Sequence, residues 1–161
     1  MMTRSMAKPN DESPAAAPVV IDGSMGEGGG QILRTSLSAS LLTGVAVEMR
    51  RIRARRRRPG LLAQHLTAVR AAARIGDAAV EGARLGSDRL VFRPGPVRPG
   101  RYRFDVGTAG SATLVLQTLL VPLAESGQES EVTIVGGTHN PGAPSYEFLD
   151  LAFLPVLRRM G

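Results

Sequence analysis

The chain has 161 residues, 43% of them hydrophobic and only 4% aromatic, so a folded core must be built from Leu, Val, Ala and Ile. It carries no Cys and two His, which excludes disulfides and thiolate metal sites and argues against structural zinc. A net charge of +6 and a pI near 11.1 favour polyanionic partners, nucleic acid first, and no apolar run reaches membrane-spanning length.

Residues 1–17 are rich in Ser, Pro, Ala and mixed charge, without a core-forming pattern or a secretory leader, and are expected to be a disordered tail of a cytoplasmic protein. From residue 18 the pattern becomes regular. A strand is predicted near 18–22, a helix near 28–43, a strand near 45–53 and a helix near 60–75 opened by Pro59-Gly60. Two short strands follow near 78–82 and 89–93. This β-α-β-α-β-β order predicts an α/β fold in which two helices cover one face of a four-stranded sheet, a two-layer α+β sandwich. A second unit then begins, with a strand over 101–106, a helix near 111–125, a strand near 131–135 and a helix near 145–160. A shift of 83 residues lays it on the first: Ile21-Asp22 falls on Phe104-Asp105, Leu33, Thr35 and Leu37 on Leu116, Thr118 and Leu120, and Gly44 on Gly127. The reading is therefore two tandem units, 18–98 and 99–161. The second stops before its last two strands, so an exposed sheet edge or a partner is expected.

Chemistry concentrates where the first strand meets the first helix, IDGSMGEGGGQILR (Ile21–Arg34). Glycines at such a junction permit positive φ and close approach, and the helix start offers free N–H groups to an anion. No Lys follows the glycines, so the P-loop is excluded. GxGxxG lacks its third glycine at Gln31, and only Glu48, near ribose-binding distance, keeps a dinucleotide reading open. Packing alone explains such a turn equally well. Downstream, Arg50 to Arg58 reads RRIRARRRR, seven Arg in nine residues, more than a solvated face requires and suited to phosphate oxygens.

Together with IRARRRRPGLLAQHLTAV (Ile52–Val69), VGTAGSATLVLQT (Val106–Thr118) and VGGTHNPGAPS (Val135–Ser145), the glycine segment resembles the RNA 3′-terminal phosphate cyclase family, from about Val19 to Gly161. The resemblance implies tandem units similar to the C-terminal domain of bacterial translation initiation factor three, and a chain matching the N-terminal portion of a longer enzyme. It implies ATP-dependent closure of an RNA 3′-phosphate to a 2′,3′-cyclic phosphate through adenylylated intermediates. The family's nucleophilic His has no match here, since neither His65 nor His139 occupies its motif. Glu27 matches a carboxylate for Mg²⁺ or Mn²⁺. Arg34, Arg53 and Arg56 match active-site arginines for the RNA 3′-phosphate or the triphosphate. Gln31 shares the helix face of Arg34, and Gln64-His65 matches a cleft pair in which His65 is expected to bind phosphate or to act as an acid/base near neutral pH. Gln117 matches a nucleotide contact and, by the internal shift, falls on Arg34. Asn140 and Pro144 match a loop beside the adenine pocket. Arg55, Arg57 and Arg58 depart from the family pattern and are expected to extend the backbone-binding surface, and His139 replaces a more usual Asp. The expected partners are ATP, RNA with a 3′-phosphate end and a C-terminal half encoded separately. Two competing readings are a non-catalytic cyclase-like protein, as in ribosome assembly, and an RNA-binding module using the arginines alone.

Overall fold

The computed structural model describes residues 16–160. The tail expected over 1–17 lies almost wholly outside the described residues. The elements run β1 (Val19–Asp22), α1 (Gly30–Thr43), β2 (Val47–Arg50), α2 (Ala63–Ile75), β3 (Ala79–Glu81), β4 (Leu90–Arg93), β5 (Arg101–Asp105), α3 (Ala112–Ala124) and β6 (Glu131–Val135), then a π-helical segment (Phe148–Phe153) and α4 (Leu154–Met160). The fold is mixed α/β.

Strand alternation sets the layers. Val47 and Met49 of β2 and Leu90 and Phe92 of β4 point into the core, where Leu33, Leu37 and Leu41 of α1 and Leu66, Val69 and Ile75 of α2 meet them. The sheet order is β1-β2-β4-β3, with β1 parallel to β2 and the other pairs antiparallel. A second sheet pairs β5 and β6 in parallel, with Tyr102 stacked on Phe104 at 6.0 Å. Helix α3 packs on both α1 and α2, so Val115, Leu119 and Leu123 join the same core as the first sheet. Helix α1 ends on Gly44, whose φ of 71° suits a left-handed cap that a side chain would strain, and whose N–H closes on the Ser40 carbonyl.

The differences from the expected elements have local causes. Strand β2 stops at Arg50 rather than 53, because Arg51 and Arg53 both take φ of 55° and turn the chain out of the sheet. Helix α1 begins at Gly30, since Gly28 has φ of 55°. The last helix is broken into a π turn before Pro155. Proline has no N–H to give and crowds the carbonyl four residues back; the Leu154 N–H reaches the Leu149 carbonyl instead. This final segment buries none of its side chains, and Phe148, Leu151, Val156 and Met160 are exposed.

Candidate functional site: an anion cleft at three helix starts

Parallel strands β1 and β2 end side by side, so the glycine turn after β1 and the arginine loop after β2 leave the sheet together. One residue out of the strand register, three bonds join the loops, each between residues 29 apart. Arg51 forks onto the Asp22 carboxylate, with its Nε at 3.0 Å. Arg55 Nη1 donates to the Gly26 carbonyl at 3.1 Å, and Arg56 Nη2 donates to Glu27 Oε2 at 3.2 Å. Asp22 also accepts from the Ser24 N–H and hydroxyl, and these bonds, the Ser24 backbone bond foremost and then Arg51, hold its carboxyl down at about 2.

Between the loops lies a cleft of ≈ 890 Å³, walled by Glu27, Gly28 to Gln31, Arg34, Arg53, Arg56, Gln64 and His65 from the first half of the chain, and by Leu114, Pro141 and Gly142 from the second. Three helix starts face it. Helix α1 opens on Gly29 with no side-chain cap, leaving its first N–H groups free. Leu62, before α2, donates its N–H to His65 Nδ1 at 3.3 Å, which leaves the proton of the neutral ring on Nε2. At α3, Gln64 Oε1 accepts the Ser111 N–H at 2.9 Å, and the Ser111 hydroxyl accepts from the Leu114 N–H.

Arg34, only 7% exposed, projects into this space. Its Nε donates to Gln117 Oε1 at 3.1 Å and its Nη2 to Gln31 Oε1 at 3.0 Å. His65 is 5% exposed, and its Nε2 and Arg34 Nη1 converge on one point: a Cβ added to Gly30 would meet them at 2.3 and 2.9 Å. Arg53, 9% exposed, anchors one guanidinium nitrogen to the Arg58 and Gly60 carbonyls at 2.6 and 2.8 Å. Among the described residues no carboxylate makes an ion pair with Arg34 or Arg53. Burial pushes the pKa values of both guanidiniums down. Burial first, then Arg53 and Arg34, drives the His65 imidazole to about 4. In the free protein His65 is therefore neutral at pH 7, its ring held well below the ordinary imidazole range. The free site presents buried positive charge, an N–H-bearing imidazole and open helix N–H groups, a surface rich in donors that suits an anion.

Several predicted residues lie elsewhere or do something else. Gln117 and Pro144 line a separate apolar groove of ≈ 430 Å³ between α1, α3 and the C-terminal segment, with Leu116, Leu120 and Phe148. Asn140 lines neither cavity. Its Nδ2 donates to the Ala109 carbonyl at 2.6 Å and its Oδ1 is buried without a partner. His139 pairs with Glu147 at 2.7 Å. Glu48 is turned to the outer face of the sheet, between Arg50 and Arg89 at 2.8 and 2.7 Å. It cannot reach the glycine turn, which removes the dinucleotide reading. Sequence reasoning missed the close fit at Gly30, the Asp22–Arg51 fork, and Pro141 and Gly142, which only the docking of α3 brings to the cleft.

Glu27 fits a hard cation in one limited sense. Its side chain is 93% exposed, and the described residues hold no cluster of three or more metal-ligating side chains. One exposed carboxylate suits Mg²⁺ or Mn²⁺ when phosphate oxygens and water complete the shell. No helix among the described residues is long and apolar enough to cross a membrane.

The model of the RNA 3′-terminal phosphate cyclase family matches residues 25–161. The chain is 60% identical over 143 residues to the RNA 3′-terminal phosphate cyclase of Pseudomonas fluorescens, covering 89% of this chain and 41% of that protein. It is 54% identical over 152 residues to the cyclase of Ralstonia nicotianae, covering 94% and 44%. Against the cyclase of Koribacter versatilis the identity is 59% over 143 residues, covering 89% and 40%. The chain thus spans about two fifths of the length of these curated relatives.

Proposed function

This chain belongs to the RNA 3′-terminal phosphate cyclase family, and on that premise we propose that its cleft holds the 3′-phosphate of an RNA and the phosphates of ATP for closure to a 2′,3′-cyclic phosphate. One observation carries the reading: Arg34 and Arg53 are buried with His65 at the open start of α1, and no carboxylate among the described residues neutralises them. Buried positive charge is costly unless an anion completes it.

In this reading Arg34 Nη1, His65 Nε2–H and the first N–H groups of α1 donate to phosphate oxygens. Phosphoryl transfer asks for such fixed donors where charge accumulates. Arg56 would serve the phosphates, and Glu27 would hold Mg²⁺ or Mn²⁺, which would supply charge neutralisation of the polyphosphate. Gln64 and Arg53 hold the walls in place through Ser111 and the 58–60 carbonyls. The neighbouring groove takes the adenine, with Gln117 and Pro144 on its wall and Asn140 bracing the loop behind. Neither His is disposed as a nucleophile, one being buried and the other paired with Glu147. The adenylylated His comes from outside these residues. We further read the chain as two units, 18–98 and 99–161, similar to the C-terminal domain of translation initiation factor three, working in the cytoplasm.

The test compares binding of one oligoribonucleotide with a 3′-phosphate or a 3′-hydroxyl end across a salt series. The cyclase reading expects roughly tenfold tighter binding of the phosphate end, from one or two charge-assisted bonds. Equal binding with a steep salt dependence would leave only an RNA-backbone module built on the arginine loop.

A further inference from the structure

Among the described residues Arg34 alone lines both the anion cleft and the apolar groove. Its guanidinium is divided between them. The Nε is held from the groove side by Gln117 of α3, the Nη2 by Gln31 one helical turn back, and the Nη1 faces Gly30 and His65 in the cleft. Both holding groups are neutral amides. A carboxylate in either place would form a closed ion pair and cancel the charge. An amide oxygen satisfies the donor and fixes the plane of the guanidinium, yet leaves its full charge for an incoming anion. Gln117 itself is exposed and lies outside the cleft wall. The two residues are 83 apart, the period of the internal repeat, so equivalent positions of α1 and α3 meet where these helices pack.

We propose that Gln117 is a positioning residue for Arg34: from the apolar groove it sets the plane of the guanidinium whose free edge receives the anion, so that groove and cleft are coupled through one hydrogen bond. This rests on the reading of the cleft as a phosphate site. A Gln117 that merely touched whatever fills the groove would have no effect on an anion lacking a ring. A Gln117 that acts through Arg34 would affect both kinds of ligand.

The experiment uses Gln117→Glu and Gln117→Leu in the full chain, with inorganic tripolyphosphate and ATP as probes at fixed low salt. In Gln117→Glu the new carboxylate pairs with Arg34, and tripolyphosphate affinity falls about tenfold or more, with ATP falling in parallel. Gln117→Leu keeps the charge but frees the plane, and tripolyphosphate weakens by about threefold to fivefold. Unchanged tripolyphosphate affinity in both variants, with ATP alone weakened, overturns the proposal and makes Gln117 a contact of the groove's occupant only. A second readout needs no ligand. The NMR titration of His65, which Arg34 helps to depress, moves up in Gln117→Glu and less in Gln117→Leu. A His65 titration unmoved in Gln117→Glu also overturns it. Should the unaltered chain bind no tripolyphosphate, the phosphate reading of the cleft fails, and the His65 titration alone decides the role of Gln117.

Discussion

Replacing Gly30 by alanine sets two known effects against each other. Gly30 is the first residue of α1, and its backbone already has an ordinary helical sign of φ. In an open helix the added methyl would stabilise by up to about 1 kcal/mol. Here the new Cβ would lie 2.3 Å from His65 Nε2, 2.8 Å from its Cδ2 and 2.9 Å from Arg34 Nη1. An imidazole 5% exposed and fixed by the Leu62 N–H has nowhere to go, so the ring or the helix start must shift. Overpacking of this kind costs about 1–3 kcal/mol. The net expectation is a loss of about 1–2 kcal/mol in urea unfolding, together with loss of tripolyphosphate binding. In a His65→Ala background the ring is gone, and the same Gly30→Ala change should become neutral or stabilising by up to about 1 kcal/mol. The double-mutant cycle is the assay. If Gly30→Ala is as stable as the unaltered chain, or costs the same with and without His65, the packed convergence at Gly30 is wrong.

Three other outcomes are expected. His65 has a folded pKa near 4 against an ordinary 6.5, so below pH 6.5 the unfolded chain takes up the proton first; stability should fall as pH drops from about 6.5 to 4, by up to about 3 kcal/mol. Comparing acid unfolding of the unaltered chain and His65→Gln isolates this effect, and saturating tripolyphosphate should shrink the loss, because an anion at the ring favours its charged form and raises the folded pKa toward the unfolded one. Glu48→Gln should lower stability in urea unfolding, since a side chain only 7% exposed loses the charge that Arg50 and Arg89 hold; calorimetry should find anion affinity unchanged, whereas a cofactor role for Glu48 would show as lost binding. Gly60→Ala should cost more than about 2 kcal/mol in the same unfolding assay, since Gly60 has φ of 76° and its Cβ would lie 2.3 Å from the Gly86 carbonyl oxygen.

Much of this architecture was legible because it is local. The 3.6-residue spacing of Leu33, Leu37 and Leu41, the alternation in β5 and β6, and turn residues between segments each act over a few positions. They placed the six strands and the first three helices within a few residues. The arginine loop defeated the local reading. Arg51 and Arg53 are β-compatible by type, but both adopt positive φ because Asp22 and the 58–60 carbonyls, all outside the strand, grip their side chains. The π turn was equally hidden, though Pro155 was its visible cause.

The sequence by itself determined which chemical groups were available: a glycine turn before a helix, clustered arginines, a single acid at Glu27 and a His beside Gln64. Local physics brings each to the end of an element. The tertiary structure decided their use. Docking of α3 onto α1 and α2 placed Gln117 on Arg34, sent Pro144 to the groove and brought Pro141 and Gly142 to the cleft. Strand alternation turned Glu48 to the outer face, away from the turn it was expected to serve. Burial made His65 neutral at pH 7 and left Arg34 charged without a carboxylate. Charge state, partner and exposure depend on what packs from distant parts of the chain, and residue type and spacing carry no record of that.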